Sequence, residues 1–409
     1  MKSVVKNMLM LKAKALYIVI IVSLIIAILT SAFVLQAYFY RLEIQHNLLL
    51  ERLQINAQSG FNLLLTDHNL FDNNEEIVLD LFDEDRDSVL LRKYDWGLFE
   101  IGVCKAFKGK NKSVKTGQIG YKPAGTSKAS LYLVDQNRPL SLCGKTQIIG
   151  NCYLPEAGIK RAYIEGQSYV GAQLIYGSVS KSSKSLPPIN EEMIKRNIAI
   201  INNELSKPPF NPPKGGTEKY EIIEELESTI SRSFLLNTLL INSENSIDLD
   251  DIDLSGNIII RSGSVVSISS NSKLSDVLIY AAAVVIEDGF AGNLQVFASD
   301  SIKVGKNCKL KYPSALGLIK LENSAKHPFI KIDNGSELAG ILFIYQIQKG
   351  RNQPKLTIEK GVIIKGQVFV DGLVELHGNV YGNITCSKFI LRTPSSVYEN
   401  HLLNVTIDY

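Results

Sequence analysis

Three carboxylates stand at equivalent places in the C-terminal part of the chain. Asp288, Asp333 and Glu359 each follow a short apolar-x-apolar triplet and precede a glycine by one or two residues. Carboxylates aligned on one face of a sheet could supply the acid and the base of polysaccharide cleavage. Carboxylates at such places also end strands and keep turns in water. We interpret the three as turn residues, and an outward row of acids is the functional alternative.

The histidines and the standard motifs give no second candidate for chemistry. The zinc-protease pattern H-E-x-x-H, the nucleophile pattern G-x-S-x-G and the phosphate-binding pattern G-x-x-x-x-G-K-[ST] do not occur. A hexapeptide acyltransferase would need a strict six-residue repeat, which is not sustained here. We therefore predict that the chain is not an enzyme and has no catalytic, cofactor-binding or metal-binding residues. The isolated histidines are His46, His68, His327, His377 and His401.

An acidic stretch between Phe71 and Asp87 carries alternating aspartates, of which Asp83 and Asp85 are two. Such alternation occurs in calcium-binding loops, which also require glycine at the sixth position and glutamate at the twelfth. Here those positions hold Ser88 and Tyr94. The sequence therefore favours a solvated acidic turn.

Composition excludes some functions before any motif is considered. The formal net charge is only +3 over 409 residues, and basic residues are scattered after the first segment. A nucleic-acid groove needs a concentrated basic surface, so none is predicted. Cys143 and Cys152 are close enough in sequence to pair, but the number of cysteines is odd and no C-x-x-C occurs. Buried free thiols are the prediction for most of Cys104, Cys143, Cys152, Cys308 and Cys386.

The candidate acids are positioned by a repeat that runs from about Ile247 to Leu391. Its apolar-x-apolar triplets start at steps of 18, 18, 28, 26 and 18 residues. The two long steps indicate insertions near Lys320–His327 and Gln346–Gln353. The triplets are Val266-Ser267-Ile268, Val284-Val285-Ile286, Ile302-Lys303-Val304, Ile330-Lys331-Ile332, Leu356-Thr357-Ile358 and Val374-Glu375-Leu376.

Short alternating strands with glycine turns at a constant period are typical of a β-solenoid. A strand of three to five residues cannot bury its inward side chains alone, whereas stacked coils form one continuous apolar column. We therefore predict a mainly β fold containing a β-helix of about 18 residues per coil. An antiparallel sandwich is the alternative, but sandwiches do not keep a constant period.

The N-terminal segment has the length and composition of a membrane anchor. Residues 1–14 carry four lysines and no acid, and residues 15–40 are almost entirely apolar. Lysines before the span and a mixed charge after it predict a cytoplasmic N-terminus. A cleaved signal peptide is the alternative, with Thr30-Ser31-Ala32 as the cleavage site, but the apolar run continues beyond it. Helical spacing then continues through residues 41–66 as a stalk.

This layout resembles the N-terminal stem of type IV pilin-like proteins, especially minor pilins and pseudopilins. The resembling residues are Lys14-Ala15-Leu16 before the apolar helix and Ala57-Gln58-Ser59-Gly60 in its outer half. The chain departs from that family because it has no Gly-Phe cleavage junction and no glutamate five residues into the apolar run. The resemblance implies a helix that packs into a fibre.

Residues 131–178 again alternate around glycines, and we interpret them as first coils or a cap of the same solenoid. Residues 179–246 interrupt the pattern with serine, lysine and proline breakers. Within them, Glu191–Glu204 and Tyr220–Leu240 are predicted as two helices that lie along the solenoid or cap it. A helix that docks a partner is the functional alternative.

The densest part of the repeat, from Gly361 to Ile384, is rich in apolar-x-Gly-x-apolar units such as Val380-Tyr381-Gly382-Asn383-Ile384. It resembles the bactofilins, which are polymer-forming bacterial β-solenoids. That resemblance implies a structural, self-associating protein without a nucleotide. The membrane anchor and the external location set this chain apart from that family.

The predicted organisation has eight parts: a basic leader at 1–14, a transmembrane helix at 15–40, a helical stalk at 41–66, a strand-rich region at 67–130, first coils or a cap at 131–178, a helical insertion at 179–246, the main solenoid at 247–391 and a C-terminal cap at 392–409.

The resulting functional hypothesis is a non-enzymatic, single-pass structural or assembly protein of the bacterial inner membrane, with most of the chain outside the cytoplasm. The membrane, other copies joined through the solenoid ends, and envelope assembly proteins are the predicted partners. A minor pilin-like component and a carbohydrate-binding or carbohydrate-cleaving solenoid are the alternatives.

Overall fold

The computed structural model describes residues 2–66, 76–82, 87–120, 129–204, 220–223, 227–322, 327–350 and 352–409. The chain divides into two compact units. The first comprises Met1–Leu70, Glu76–Leu91 and Cys104–Lys115, and the second comprises Phe71–Glu75, Arg92–Val103 and Thr116–Tyr409. Of the stretch predicted as a solvated acidic turn, Asp83 and Asp85 lie outside the described residues.

The helices and the first strands are listed here in chain order. They are α1 Lys2–Thr66, β1 Glu76–Leu79, β2 Ser88–Trp96, β3 Phe99–Lys108, β4 Asn111–Ile119, β5 Leu131–Leu133, β6 Leu140–Cys143, β7 Gln147–Ile149, β8 Cys152–Leu154, β9 Ile159–Arg161, β10 Tyr163–Ile164, β11 Gln167–Ser168, β12 Val179–Lys181, α2 Glu191–Ile201, β13 Tyr220–Ile223, β14 Thr229–Arg232 and β15 Thr238–Ser243.

The remaining strands carry the repeat and the C-terminus. They are β16 Ile247–Leu249, β17 Asp253–Gly256, β18 Ile258–Ser262, β19 Val265–Ile268, β20 Lys273–Ile286, β21 Ala291–Val304, β22 Lys309–Lys320, β23 Phe329–Ile332, β24 Glu337–Gln346, β25 Lys355–Ile358, β26 Ile363–Leu376, β27 Asn379–Arg392, β28 Val397–Glu399, β29 His401–Leu403 and β30 Thr406–Asp408.

The long N-terminal helix confirms the predicted continuity of apolar span and stalk. From Leu16 to Thr66, α1 is long and apolar enough to cross a membrane once, and its most apolar stretch is entirely unburied. A membrane anchor and a signal sequence both have this character. Among the described residues no other helix qualifies.

The outer half of α1 is buried on one side within the first unit. Leu53, Ala57, Phe61 and Leu64 repeat at spacings of three and four and are buried. A Cβ built on Gly60 would lie 2.6 Å from the Sγ of Cys104 and 2.8 Å from a methyl of Val89. The small residues of the Ala57–Gly60 stretch therefore allow close packing of the helix against strands.

A buried carboxylate fixes the same half of the helix. Asp87 accepts hydrogen bonds from Arg52 Nε at 2.9 Å and from Asn56 Nδ2 at 2.9 Å. Its side chain is almost fully buried. The hydrogen bonds offset the free-energy cost of removing the carboxylate from water, which would be uncompensated in an unpaired charge. Asp87, which the sequence placed at the end of an acidic loop, therefore has a structural role.

In the second unit the apolar triplets pair with one another in the predicted register. Val266 pairs with Val284, Val284 with Ile302, Ile302 with Ile330, Ile330 with Leu356, and Leu356 with Val374. These pairings are parallel, and all the first and third residues of the triplets are buried in one core. The two long steps are insertions after Lys320 and after Gln346, where β22 and β24 end. The predicted register is confirmed.

The predicted β-solenoid is wrong as a fold class. The parallel sheet closes on itself as a barrel with additional strands, instead of forming an open stack of separate short strands. The reason is that neighbouring apolar pieces fuse: β20, β21, β26 and β27 are each 14 residues long. β20, for example, pairs with β17, β18 and β19 along successive parts of its length and with β21 along its other side. The sequence period reports which residues pair but not that the sheet closes.

Glycine lines up at one bend of the long strands. Gly340, Gly366 and Gly382 pair in register and follow Ser314. Their φ angles of 146°, 142° and 141° lie in the region that favours glycine. We call these three residues the glycine corner, after the backbone conformation that they share and that other residues avoid.

The ends of the second unit meet. β27 pairs with both β5 and β30, and β30 pairs in turn with β7. Strand β29 pairs with β6. β5, β7 and β8 therefore continue the sheet beyond the C-terminal strands, and β30, which belongs to the predicted C-terminal cap at 392–409, lies inside the sheet.

The predicted helical insertion is half correct. The first predicted helix forms α2, whose N-cap Asn190 accepts hydrogen bonds from the amides of Glu192 and Met193 at 3.0 and 3.1 Å. The second prediction, a helix over Tyr220–Leu240, is wrong, because that stretch contains β13, β14 and the start of β15. β13 pairs with β15, while β14 and β15 pair with β17 and β18. Partner strands at the end of a parallel sheet override the helical spacing of its leucines and isoleucines.

Candidate functional site

A column of aromatic side chains runs up one outward face of the second unit. The column positions pair in register across successive strands and alternate with core residues, so they point away from the core. Ring centroids lie 4.9 Å apart for Tyr280 and Phe297 and 5.6 Å apart for Phe343 and Phe369. In order, the column passes through Tyr280, Phe297, Gly317, Phe343, Phe369, Thr385, Tyr132 and Tyr153.

Residues 182–204, here called the covering segment, lie over this column. At one end, the Tyr132 hydroxyl donates to the Ser185 carbonyl at 3.0 Å and accepts from the Ser183 amide at 3.0 Å. At the other end, within α2, the Tyr280 hydroxyl donates to Asn197 Oδ1 at 2.8 Å. Arg196 also forms an ion pair with the buried Asp95. These contacts hold the covering segment at both ends and bury Tyr132 and Tyr280.

Between the two attachments the cover is incomplete and leaves a groove of about 280 Å³. One wall is the extended, proline-containing start of the covering segment. The other wall and the floor come from the ends of β24 and the middle of β26. The lining residues are Ser185, Leu186, Pro187, Pro188, Ile189, Glu191, Tyr345, Gln346, Ile347, Lys349, Phe369 and Asp371.

Two half-buried aromatic rings, Phe369 and Tyr345, form the apolar part of the groove. Phe343, which is buried, stacks on Phe369 with an interplanar angle of 22° and on Tyr345 with an angle of 16° and a centroid distance of 6.2 Å. The nearly parallel planes fix the orientation of both lining rings.

The polar part of the groove includes the Asp371 carboxylate and the Lys349 ammonium group beside it. Asp371 is 5% exposed; its Oδ1 accepts from Ser387 Oγ at 3.2 Å and lies 3.8 Å from Lys349 Nζ. Gln346 is 4% exposed and donates through Nε2 to the Asp371 carbonyl at 3.2 Å. Its Oε1 is buried and has no hydrogen-bond partner in the described part of the chain. A buried acceptor without a donor costs free energy, and this oxygen is too deeply buried for a molecule in the groove to reach it.

The outward row of acids, the functional alternative, is only partly assembled. Lys331 Nζ lies 2.7 Å from Asp333 Oδ1 and 3.7 Å from Glu359 Oε1, so these two acids share one lysine. The hydrogen bond from Lys331 to Asp333 is the main reason that the pKa of the lysine is raised. Asp288 instead accepts from the Lys306 amide at 2.7 Å and caps a turn. The interpretation as turn and surface carboxylates describes all three.

A second ionic cluster lies on the outward side of the last triplet. Glu375 lies 3.6 Å from His377 Nε2 and 3.0 Å from Lys355 Nζ. The nearby His377 ring, together with Lys355, lowers the pKa of Glu375 from 4.5 to about 2, although partial burial opposes the shift. This carboxylate is held ionised, as in a structural ion pair.

The pH dependence of stability should report this cluster. The folded pKa of Glu375 lies below its ordinary value, so the carboxylate stabilises the fold above about pH 4.5 and the contribution is lost as the pH falls towards 2. Glu375→Gln should therefore lower stability at pH 7 and have a diminishing effect between pH 4.5 and 2. Unfolding followed by the fluorescence of Trp96, the single tryptophan, measures this.

The matched control for that experiment is Glu337→Gln. Glu337 forms an exposed pair with Lys365 at 3.6 Å, and exposed pairs contribute about 0–1 kcal/mol. An effect of Glu375→Gln that stayed constant from pH 7 to pH 2 would contradict the assignment.

The thiols and imidazoles do not form a reactive centre in the described residues. All five cysteines are free and buried, so Cys143 and Cys152 are not paired. Burial raises the pKa of Cys104 to about 12 and raises that of Cys386 as well, which keeps both as unreactive thiols. Within the described ranges no group of three or more His, Cys, Asp or Glu side chains is placed to hold a metal ion. His68 lies outside those ranges.

Sequence reasoning missed the groove, although part of its signal was present. Val368-Phe369-Val370 alternates so that Phe369 must point away from the core, and Phe343 stands 26 residues earlier in the same register. Outward aromatic residues that recur at the repeat spacing would have indicated an aromatic column. The polar members, Gln346 and Asp371, carry no such pattern.

Comparison with known proteins adds no assignment. No family model, no curated protein and no solved structure matches the chain. The resemblances to pilin-like proteins and to bactofilins stay predictions, and the solenoid that the second implied is the part corrected above.

Proposed function

We propose that this protein is a non-enzymatic structural or assembly component of a bacterial cell envelope, held in the inner membrane by α1. The observation that carries the proposal is the unburied apolar half of one continuous helix whose other half is buried along one side in the first unit. A helix fixed at one end into folded protein and apolar at the other is suited to hold a folded body at a membrane surface.

The proposed orientation places the N-terminus in the cytoplasm. Lys2, Lys6, Lys12 and Lys14 precede the apolar stretch without any acid, and short basic flanks stay on the cytoplasmic side. The second unit would then lie outside the cytoplasm. A protease added to spheroplasts should cleave a tag placed after Tyr409, and protection of that tag until lysis would reverse the orientation.

The anchor itself can be tested by charge substitution in the full chain. The unaltered protein should remain with membranes after alkaline extraction and keep its full mass. Ile25→Lys combined with Leu29→Lys should release it, because each lysine at the centre of a spanning helix costs about 2.5–3.5 kcal/mol. The matched control is Leu48→Lys with Ile55→Lys, which changes exposed residues of the outer half and should leave retention unchanged.

The mature mass separates the alternatives. Loss of about thirty N-terminal residues would identify a signal peptide and end the anchor proposal. Loss of residues 1–15, by cleavage before Leu16, would favour the pilin-like component. Light scattering of the intact protein in micelles then tests assembly with other copies, and a strictly monomeric particle would restrict assembly to different partners.

Addition of a strand is not the proposed mode of self-association. β9 lies at the edge of the three-stranded sheet β29-β6-β9, where an exposed strand could accept a partner. It carries the exposed charges of Lys160 and Arg161, which disfavour pairing with an identical edge.

The groove favours a second candidate function, recognition of carbohydrate. It combines two partly exposed aromatic rings with the Asp371 carboxylate, and apolar walls with a few polar groups are typical of ligand sites.

A further inference from the structure

We propose that Asn334 is a site of spontaneous covalent modification, at which the asparagine deamidates and the main chain isomerises. Asn334 and Gly335 form the only Asn-Gly pair in the sequence and lie in the turn between β23 and β24. Both residues are exposed. The inference concerns the second unit alone and depends neither on membrane anchoring nor on the groove.

The reaction uses only these two residues and water. The main-chain nitrogen of Gly335 loses its proton and attacks Cγ of Asn334, which forms a new C–N bond and a five-membered succinimide ring. The bond between Cγ and Nδ2 breaks, and the side-chain nitrogen leaves as ammonia. Water then opens the ring at either carbonyl group and gives aspartate or isoaspartate. One water is consumed and one ammonia is released.

The first argument is that both reacting groups are free. In the described part of the chain the Gly335 amide donates no hydrogen bond, and the side-chain amide of Asn334 has no partner. An amide held in a hydrogen bond would have to break that bond before it could lose its proton and attack. Gly335 also carries no side chain beside the attacking nitrogen, so ring closure meets no Cβ.

The second argument is that no hydrogen bond closes this turn. At the equivalent turn on the next level of the sheet, the Val362 amide donates to the Glu359 carbonyl at 3.3 Å. The corresponding bond, from the Ser336 amide to the Asp333 carbonyl, does not form among the described residues. The turn at Asn334 is therefore less restrained than its neighbour.

Only one hydrogen bond opposes the rotation that the reaction needs. The main chain must turn at Asn334 to bring the Gly335 nitrogen towards Cγ. The carbonyl of Asn334 accepts from the Asn307 amide at 3.1 Å, and this bond has to be given up. A single such bond contributes about 0.5–1.5 kcal/mol, which does not prevent a slow reaction.

A second turn in the same sheet shows what a protected site looks like. Asp288 and Gly289 occupy the equivalent positions two levels earlier. The Gly289 amide donates to the Lys306 carbonyl at 2.8 Å, and Asp288 Oδ1 accepts from the Lys306 amide at 2.7 Å. Both groups that would react are held there, whereas at Asn334 and Gly335 both are free.

The modification should open the turn without unfolding the core. Isoaspartate lengthens the main chain by one carbon, so the Asn307 amide should lose its acceptor. The product also adds a carboxylate next to Asp333, which already shares Lys331 with Glu359. Ile332, just before the turn, is almost fully buried and should keep its strand in place.

The test incubates the full chain in lipid nanodiscs at 37 °C and follows each asparagine by peptide mass spectrometry. We expect Asn334 to deamidate at least ten-fold faster than any other asparagine in the described ranges, with both aspartate and isoaspartate formed. The rate should rise in proportion to hydroxide between pH 7 and pH 9, because the attacking nitrogen must lose its proton. Asn334→Gln should abolish the reaction at this position, since the longer side chain would have to close a six-membered ring.

The matched control is Asp288→Asn, which places the same residue pair in the protected turn. In the folded variant this position should deamidate at least ten-fold more slowly than Asn334, and in urea the two should react at similar rates. Equal rates in the folded protein, or the same difference in urea, would show that the fold does not select the site. No deamidation at Asn334, or a product without isoaspartate, would also overturn the proposal.

Hydrogen exchange of the aged protein tests the structural consequence. The Asn307 amide should lose protection, while the Lys309 amide, which donates to the Phe290 carbonyl at 2.8 Å, should retain it. Unchanged protection at Asn307 would contradict the opening of the turn. None of these outcomes bears on membrane anchoring, which the extraction experiment tests separately.

Discussion

Replacing Gly366 with alanine should destabilise the second unit by about 3 kcal/mol or more, which is a large share of the stability of an ordinary domain. The φ angle of Gly366 is 142°, a conformation that costs other residues about 1–3 kcal/mol. A Cβ added there would also lie 2.0 Å from the carbonyl oxygen of Gly340. That neighbour is backbone in the middle of a parallel pairing and cannot move away without breaking it.

The same conflict repeats along the glycine corner. A Cβ at Gly340 would lie 1.9 Å from the Ser314 carbonyl oxygen, and one at Gly382 would lie 2.0 Å from that of Gly366. A shift of one strand that relieved the clash at one glycine would therefore displace the neighbouring strand, so the strain cannot relax locally. Alanine at any of the three should act through the same mechanism.

Gly289→Ala is the matched control. Gly289 has a φ of 84°, but a Cβ there would meet nothing within 4 Å. It should incur only the backbone cost of about 1–2 kcal/mol. Urea unfolding in micelles, followed by the fluorescence of the fully buried Trp96, compares the two variants. Equal losses for Gly289→Ala and Gly366→Ala would show that the backbone clash contributes nothing.

The sequence predicted which residues pair across the strands better than it predicted that the sheet closes into a barrel. The triplets state which residues lie side by side, because alternation and period act within one stretch of chain. Thus Ile302 pairs with Ile330 across a 28-residue step as expected. Fusion of neighbouring pieces into 14-residue strands depends on how bends such as that at Gly366 are built. Period alone does not contain that information.

Contacts with residues distant in the sequence explain the wrong helix prediction and the missed groove. Leu239 and Leu240 have helical spacing with earlier residues, yet they pair with Ile258 and Ile259 of the next strand. The groove arises because residues 185–191 lie beside Tyr345 and Phe369, which come more than 150 residues later in the sequence. Its aromatic residues left a trace in the repeat, whereas Gln346 and Asp371 follow no repeated pattern.

Ending the chain after Asn404 should open the sheet where its two ends meet. This deletion removes β30, which lies between β27 and β7. Val405 and Ile407 are fully buried, and truncating a large buried aliphatic side chain costs about 2–5 kcal/mol. The Gln147 amide would also lose its acceptor, the Val405 carbonyl at 2.9 Å. We expect a loss of several kcal/mol and local exposure of β7.

Hydrogen exchange locates the effect. The amide of Gln147 should lose protection, while the amide of Ile384, which donates to the Ser130 carbonyl at 2.9 Å, should retain it through β5. Removing Tyr409 alone is the control, since its side chain is exposed. Unchanged protection at Gln147 would mean that residues 131–161 are held without the C-terminal strand. Loss of protection at both amides would mean instead that residues 131–161 detach as one body. The C-terminal strand would then be the element that closes this end of the sheet.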